Sequence, residues 1–119
     1  GVKKVYIENG TKVLDLGLES YIKQIHDLNV GEVYLNSIDR DGTGFGYDFE
    51  TIYRVAGGFS MPLIVAGGAG NEKHLLEAIE IPNVAAVATA NLFNFIGDGL
   101  PNARSYMIEK KANLASWSA

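Results

Sequence analysis

Apolar residues along this chain change period several times, and each change marks an element. Val5-Tyr6-Ile7 and Lys12-Val13-Leu14 are short β-rich runs on either side of Asn9-Gly10, a pair suited to the positive φ of a tight hairpin turn. The period then lengthens. Leu18, Tyr21, Ile22, Ile25 and Leu28 recur at the spacing of one helical face, which predicts an amphipathic helix bracketed at its end by Asn29 and Gly31.

From there short apolar runs alternate with helical stretches. Residues 32–37 predict a strand, followed by a polar loop over 38–47. Asp48 is placed to cap a helix with Phe49, Ile52, Tyr53 and Ala56 facing inward and Gly57-Gly58 as its stop. Pro62 introduces a second strand over 63–66, which runs into Gly67-Gly68-Ala69-Gly70. Asn71 can cap the next helix, with Leu75, Leu76 and Ile79 on one face. A third strand over 84–89 leads to Ala90-Asn91-Leu92-Phe93. The last helix starts near Pro101 and buries Ala103, Tyr106 and Met107.

The predicted order is a hairpin and then α, β, α, β, α, β, α, an α/β fold in which a parallel sheet is covered by helices. A complete (β/α)8 TIM barrel takes about 200–250 residues, so 119 residues hold roughly half of one. An open flavodoxin-type sheet of about five strands is also out of reach. No linker or low-complexity segment divides the chain, so residues 1–119 are expected to form one partial barrel. Gly1-Val2-Lys3-Lys4 reads as a chain entered mid-strand. A half-closed barrel leaves apolar strand surface without a partner, so a missing N-terminal barrel half or self-association is expected to cover it.

Composition narrows the function classes. The net charge of −4 and the lack of a basic stripe argue against nucleic acid as a partner. No apolar run approaches the roughly 18–20 residues that span a bilayer, so no membrane role is expected. The chain has no cysteine, which excludes a disulfide framework and thiolate metal ligation and fits a reducing, cytoplasmic setting. No metal and no cofactor are expected.

In parallel α/β proteins ligands gather where strands end and helices begin, and three such junctions carry chemistry here. The first, Ser37-Ile38-Asp39-Arg40-Asp41-Gly42-Thr43-Gly44-Phe45-Gly46, combines carboxylates, a guanidinium and glycines. Asp41 can serve as a general acid or base or hydrogen-bond substrate hydroxyls; the competing structural reading pairs Asp39 with Arg40 and leaves a plain turn. The second, Gly67-Gly68-Ala69-Gly70-Asn71, lets an anion approach backbone N–H groups in front of a helix N-terminus. It matches neither the dinucleotide fingerprint nor a P-loop. The third, Ala88-Thr89-Ala90-Asn91-Leu92-Phe93, adds exposed N–H groups and an amide. Two adjacent junctions of this kind predict a shared phosphate site. His26 reads as structural, and His74, in the first turn of a helix, has no companion at metal-ligand spacing. No nucleophile elbow is visible.

The segment Gly31-Glu32-Val33-Tyr34-Leu35-Asn36-Ser37-Ile38-Asp39-Arg40-Asp41-Gly42-Thr43, with Gly46-Tyr47-Asp48 after it, resembles the cyclase subunit of imidazole glycerol phosphate synthase. Residues 62–70 and Asn91-Leu92-Phe93-Asn94-Phe95 reinforce the resemblance, which runs from the hairpin to the last helix. It implies the part of a TIM barrel that follows the fifth strand. It further implies a histidine-biosynthesis lyase that takes ammonia from a glutaminase partner. The substrate would be a phosphoribosyl-formimino ribonucleotide, and the products imidazole glycerol phosphate and an aminoimidazole carboxamide ribonucleotide.

By the same resemblance Asn36, Ser37 and Asp41 would contact substrate, with Asp41 in a supporting role. Gly42, Gly67, Gly68, Ala90 and Asn91 would hold a phosphate, and Glu32 would belong to the ammonia gate on the opposite barrel face. The family's acid–base aspartates lie on the first and fifth strands, which this chain does not include, so the segment alone is expected to be inactive. Asn36, Ala66 and Asn91 stand where members of the histidine pathway generally carry hydroxyl residues. Those departures resemble cyclase relatives of surface-polysaccharide pathways, which aminate or amidinate a sugar. A third expectation is a non-catalytic half-barrel that oligomerises.

Overall fold

The computed structural model describes residues 2–90 and 97–115. The chain opens with an antiparallel hairpin, β1 (Lys4–Ile7) and β2 (Lys12–Gly17), paired through Tyr6 with Val13 and Ile7 with Lys12. Its turn has Asn9 at φ 55° and Gly10 at φ 81°, closed by a 3.2 Å bond from the Thr11 N–H to the Glu8 carbonyl. Positive φ at both central residues gives the turn the twist of the strands it joins.

Helix α1 (Leu18–Asp27) follows at once and packs on the hairpin, burying Leu18 and Ile22. Asn29 takes the left-handed conformation, φ 54°, that ends the helix as expected. Leu28 departs from expectation: it lies beyond the last helical residue and is 75 % exposed, because the helix ends before its face turns back to the core.

The rest is a three-stranded parallel sheet with helices between its strands. β3 (Val33–Asn36), β4 (Leu63–Ala66) and β5 (Val84–Val87) lie side by side in sequence order. Register pairs Val33 with Leu63, Tyr34 with Ile64, Leu35 with Val65 and Asn36 with Ala66, and then Leu63 with Val84 and Val65 with Val87. Consecutive strands as neighbours are what βα units laid down in one direction produce.

Among the described residues three helices complete the units: α2 (Phe49–Gly58), α3 (Glu72–Ile79) and α4 (Gly99–Glu109). Asp48 and Asn71 cap the first two, as expected. The Asp48 carboxylate accepts the Thr51 N–H at 3.3 Å, and the Asn71 side-chain oxygen accepts the N–H groups of Lys73 and His74 at 3.0 and 3.1 Å.

One core joins the elements. Val33, Leu63, Val65 and Val84 of the sheet meet Ile52, Val55, Leu75, Ala78, Ala103 and Met107 of the helices. In α2 the buried stripe differs from the sequence expectation: Val55 is 2 % exposed, whereas Tyr53 is 56 % exposed. The helix is rotated so that Thr51, Ile52, Val55 and Ala56 face the sheet. It also includes Gly57 and Gly58 instead of stopping at them. The other face of the sheet is open at β3, where Tyr34 is 61 % exposed. Period-two alternation assigns Glu32, Tyr34 and Asn36 to that face, and register sets Ile64 and Ala66 beside them.

Candidate functional site at the carboxyl edge of the parallel sheet

The first two sequence junctions come together. Gly46 of the β3–α2 loop donates its N–H to the Gly68 carbonyl at 2.7 Å, and Ser37 donates to the Ala66 carbonyl at 3.1 Å. Gly44 lies against Gly70, so closely that a methyl group on Gly70 would overlap the Gly44 carbonyl oxygen. A methyl on Gly68 would overlap the Gly46 carbonyl oxygen and stand 2.9 Å from the Arg40 Cβ. One on Gly67 would stand 2.9 Å from the Asn36 side-chain oxygen. Gly67 and Gly68 also hold φ of 89° and 106°, a region that side chains with a Cβ rarely enter. Here glycine answers both a backbone conformation and a backbone-to-backbone approach.

The third junction is tied in by a residue that sequence reading placed at the end of a loop and in the segment that carries the resemblance, but gave no bonding partner. Tyr47 is 2 % exposed, and its hydroxyl donates to the Ala88 carbonyl at 2.9 Å. Its ring meets Phe49 edge-on, with centroids 6.2 Å apart. Burial, and secondarily Tyr34, push its phenol well above the ordinary tyrosine range, so it stays a neutral donor. Ala88 donates in turn to the Val65 carbonyl at 2.8 Å. Ala90 follows, exposed, while Asn91 lies outside the described residues.

The remaining sequence candidates separate cleanly. Asn36 ends β3 and Ser37 follows it, so both sit at the rim beside Gly67. Asp41 and Gly42 are exposed on the loop, with Gly42 at φ 76°. The loop folds on itself: the Ser37 carbonyl accepts the N–H groups of Arg40 and Asp41 at 3.2 and 2.9 Å, and the Thr43 hydroxyl donates to the Arg40 carbonyl at 2.7 Å. Glu32 precedes the first residue of β3, at the opposite end of that strand from Asn36, about 13 Å away at about 3.3 Å per residue.

Asp48, beside the first junction, also anchors the chain's opening. It accepts Lys3 Nζ at 2.7 Å and the Thr51 hydroxyl at 2.7 Å. Burial pushes its carboxyl up, but the Lys3 and Thr51 hydrogen bonds and the Lys3 charge outweigh it and hold the carboxyl below its ordinary value. His74 was missed as well: its Nδ1 accepts the Gly70 N–H at 3.0 Å. The signal available was its position four residues after a glycine-rich turn. Among the described residues no group of three acidic, histidine or cysteine side chains is placed to hold a metal.

Such a rim, with glycine turns in front of two capped helix N-termini, belongs to parallel α/β proteins that work at the carboxyl ends of their strands. The family can be named. Residues 1–96 match the model of the family described as histidine biosynthesis protein, and the chain belongs to that family. It is 39 % identical over 107 residues to the imidazole glycerol phosphate synthase subunit HisF of Pyrobaculum aerophilum, covering 90 % of this chain and 42 % of that protein. The subunits of the same name from Hydrogenobaculum sp. and Methanopyrus kandleri are 34 % and 32 % identical, over 92 % and 90 % of this chain and 44 % and 39 % of theirs. The chain thus spans under half the length of these relatives.

Proposed function

We propose that this chain is the C-terminal portion of a (β/α)8 cyclase barrel that uses ammonia in a glutamine-dependent synthase. The observation that carries the reading is the clasp between the first two junctions, where Gly46 bonds Gly68 and Gly44 abuts Gly70. In the intact protein Gly42, Gly67, Gly68, Ala90 and Asn91 offer N–H groups to a substrate phosphate, helped by the helix dipoles behind them. Asn36, Ser37 and Asp41 contact the rest of a phosphoribosyl-formimino ribonucleotide. Glu32, at the far end of β3, lines the entry for ammonia released by a glutaminase partner, and the relatives' name, a synthase subunit, is consistent with a partner subunit.

The chemistry assigns the chain's own residues binding and orientation. Proton transfer belongs to carboxylates on strands outside this segment, and the segment alone is inactive. Titration of the full-length protein with the ribonucleotide tests the reading. Saturable binding, and imidazole product with ammonium as the nitrogen source, are expected; neither appearing would end it.

One observation favours a second substrate. Asn36 and Ala66 are register partners at the rim, and the Asn36 amide oxygen stands beside Gly67. Hydroxyl donors are absent from both positions, which suits a sugar aminated or amidinated in surface-polysaccharide synthesis. Failure of the full-length gene to complement a histidine auxotroph, with intact phosphate binding, would select this reading over the first.

A further inference from the structure

The His74 side chain lies beside both glycine turns. It lies in the first turn of α3, and its Nδ1 accepts the Gly70 N–H at 3.0 Å. Its ring atoms stand 3.5–3.7 Å from where a methyl on Gly46 would lie, and Gly46 is the residue that donates to the Gly68 carbonyl. One imidazole therefore stands between the two turns: it accepts an N–H from one and lies beside Gly46 of the other.

The surrounding bonds dictate its tautomer. The Asn71 oxygen is committed to the N–H groups of Lys73 and His74, so the Asn71 amide nitrogen is the atom 3.5 Å from His74 Nε2. An amide nitrogen only donates, and the Gly70 N–H needs a bare ring nitrogen. A neutral ring bare at Nδ1 carries its proton at Nε2. The Nε2 contact with Asn71 is then a meeting of two donors, too long to count as a hydrogen bond. Helix formation gives no reason for such a ring here, since Asn71 already caps α3; leucine would serve the helix equally but leave the half-buried Gly70 N–H unmatched.

We propose that His74, neutral and bare at Nδ1, is a positioning residue for anion binding: it holds the 67–70 turn against the 42–46 turn without touching the ligand. This rests on the phosphate-cradle reading above. The test uses the full-length protein, titrated with inorganic phosphate, as wild type, His74→Asn and His74→Leu. Asparagine can place its side-chain oxygen near the position of Nδ1 and keep the acceptor; leucine cannot.

His74→Asn is expected to bind within about threefold of wild type and His74→Leu about tenfold more weakly, the scale of one lost hydrogen bond. Equal affinity of the two variants overturns the positioning role while leaving the cradle intact. Absence of phosphate binding by wild type overturns the cradle itself. If His74→Leu fails to fold, the wild-type ring decides: long-range proton–nitrogen correlation is expected to show the Nε2–H tautomer, and a proton on Nδ1 would refute the inference.

Discussion

The two ends of the parallel sheet are built by opposite means. At the carboxyl edge, backbone meets backbone: glycines at 67, 68 and 70 let the chain approach closer than any side chain permits, Gly44 and Gly46 opposite them hold positive φ, and helices α2 and α3 begin there. At the amino edge, side chains finish the structure. Asn83, at φ 69°, donates its amide to the Ala56 and Phe59 carbonyls at 3.0 and 3.2 Å, satisfying the end of α2. A shallow cleft of about 630 Å³ opens beside it, lined in part by Lys23, His26, Asp27, Phe59 and Ser60. A parallel βα arrangement directs helix N–H groups to one edge and helix carbonyls to the other. The edge that can attract an anion is therefore set by topology before any side chain is chosen.

The largest effect should come from breaking the clasp. Gly68→Ala places a methyl on the Gly46 carbonyl oxygen at φ 106°. Strain and displaced backbone together should cost about 3 kcal/mol and abolish phosphate binding in the full-length protein. Chemical denaturation and phosphate titration read the two consequences separately. Unchanged stability would mean the turns are not in contact.

The matching change at the other edge is Asn83→Ala. It removes two side-chain bonds and puts alanine in the left-handed region, and should cost about 2 kcal/mol. Phosphate affinity of the folded protein should stay as it was. A parallel loss of affinity would mean the two edges are coupled, contrary to the division drawn here.

The same division explains how much was legible in the sequence. Elements with a local cause were readable: Asn9-Gly10 as a turn with positive φ, Asp48 and Asn71 as caps, Asn29 as a left-handed stop. The glycine turns were readable because a glycine run directly after an apolar strand has few other uses. Phase within α2 was not, since Tyr53 and Val55 are both apolar and only the sheet decides which is buried. Tyr47 was unreadable for a different reason: its hydroxyl acts on the Ala88 carbonyl 41 residues on, and proximity of that kind is a product of the fold, not of the local pattern. His74 lies only four residues from the Gly70 N–H that it accepts, a local relation for which the glycine-rich turn was the available signal.

Asp48 lets the carboxyl edge be tested by pH. Its pKa is held below the ordinary carboxylate value, so its stabilising contribution is complete above the unfolded pKa of about 4 and is lost as pH falls through the lower folded value. Asp48→Ala should cost about 1 kcal/mol at neutral pH, with the penalty shrinking below about pH 4. Asp48→Asn keeps a capping oxygen but not the charge, so its stability should vary less with pH across that range. A penalty for Asp48→Ala that is constant from pH 7 to pH 3 would show that the Lys3 pairing and the charged cap contribute nothing.

The smallest effect should have the opposite sign. Gly57 lies in the last turn of α2, exposed, without positive φ, and with nothing within 4 Å of an added methyl. Nothing in its surroundings requires glycine, so Gly57→Ala should relieve the unfolded chain's excess freedom and raise stability by about 0.5–1 kcal/mol. The methyl would stand at the edge of the amino-end cleft, at the other end of α2 from its Asp48 cap. A higher melting temperature with unaltered phosphate affinity would establish that glycine is dispensable at the amino edge and indispensable only where two backbones touch. Destabilisation by Gly57→Ala would show instead that the amino edge, too, depends on a close backbone approach.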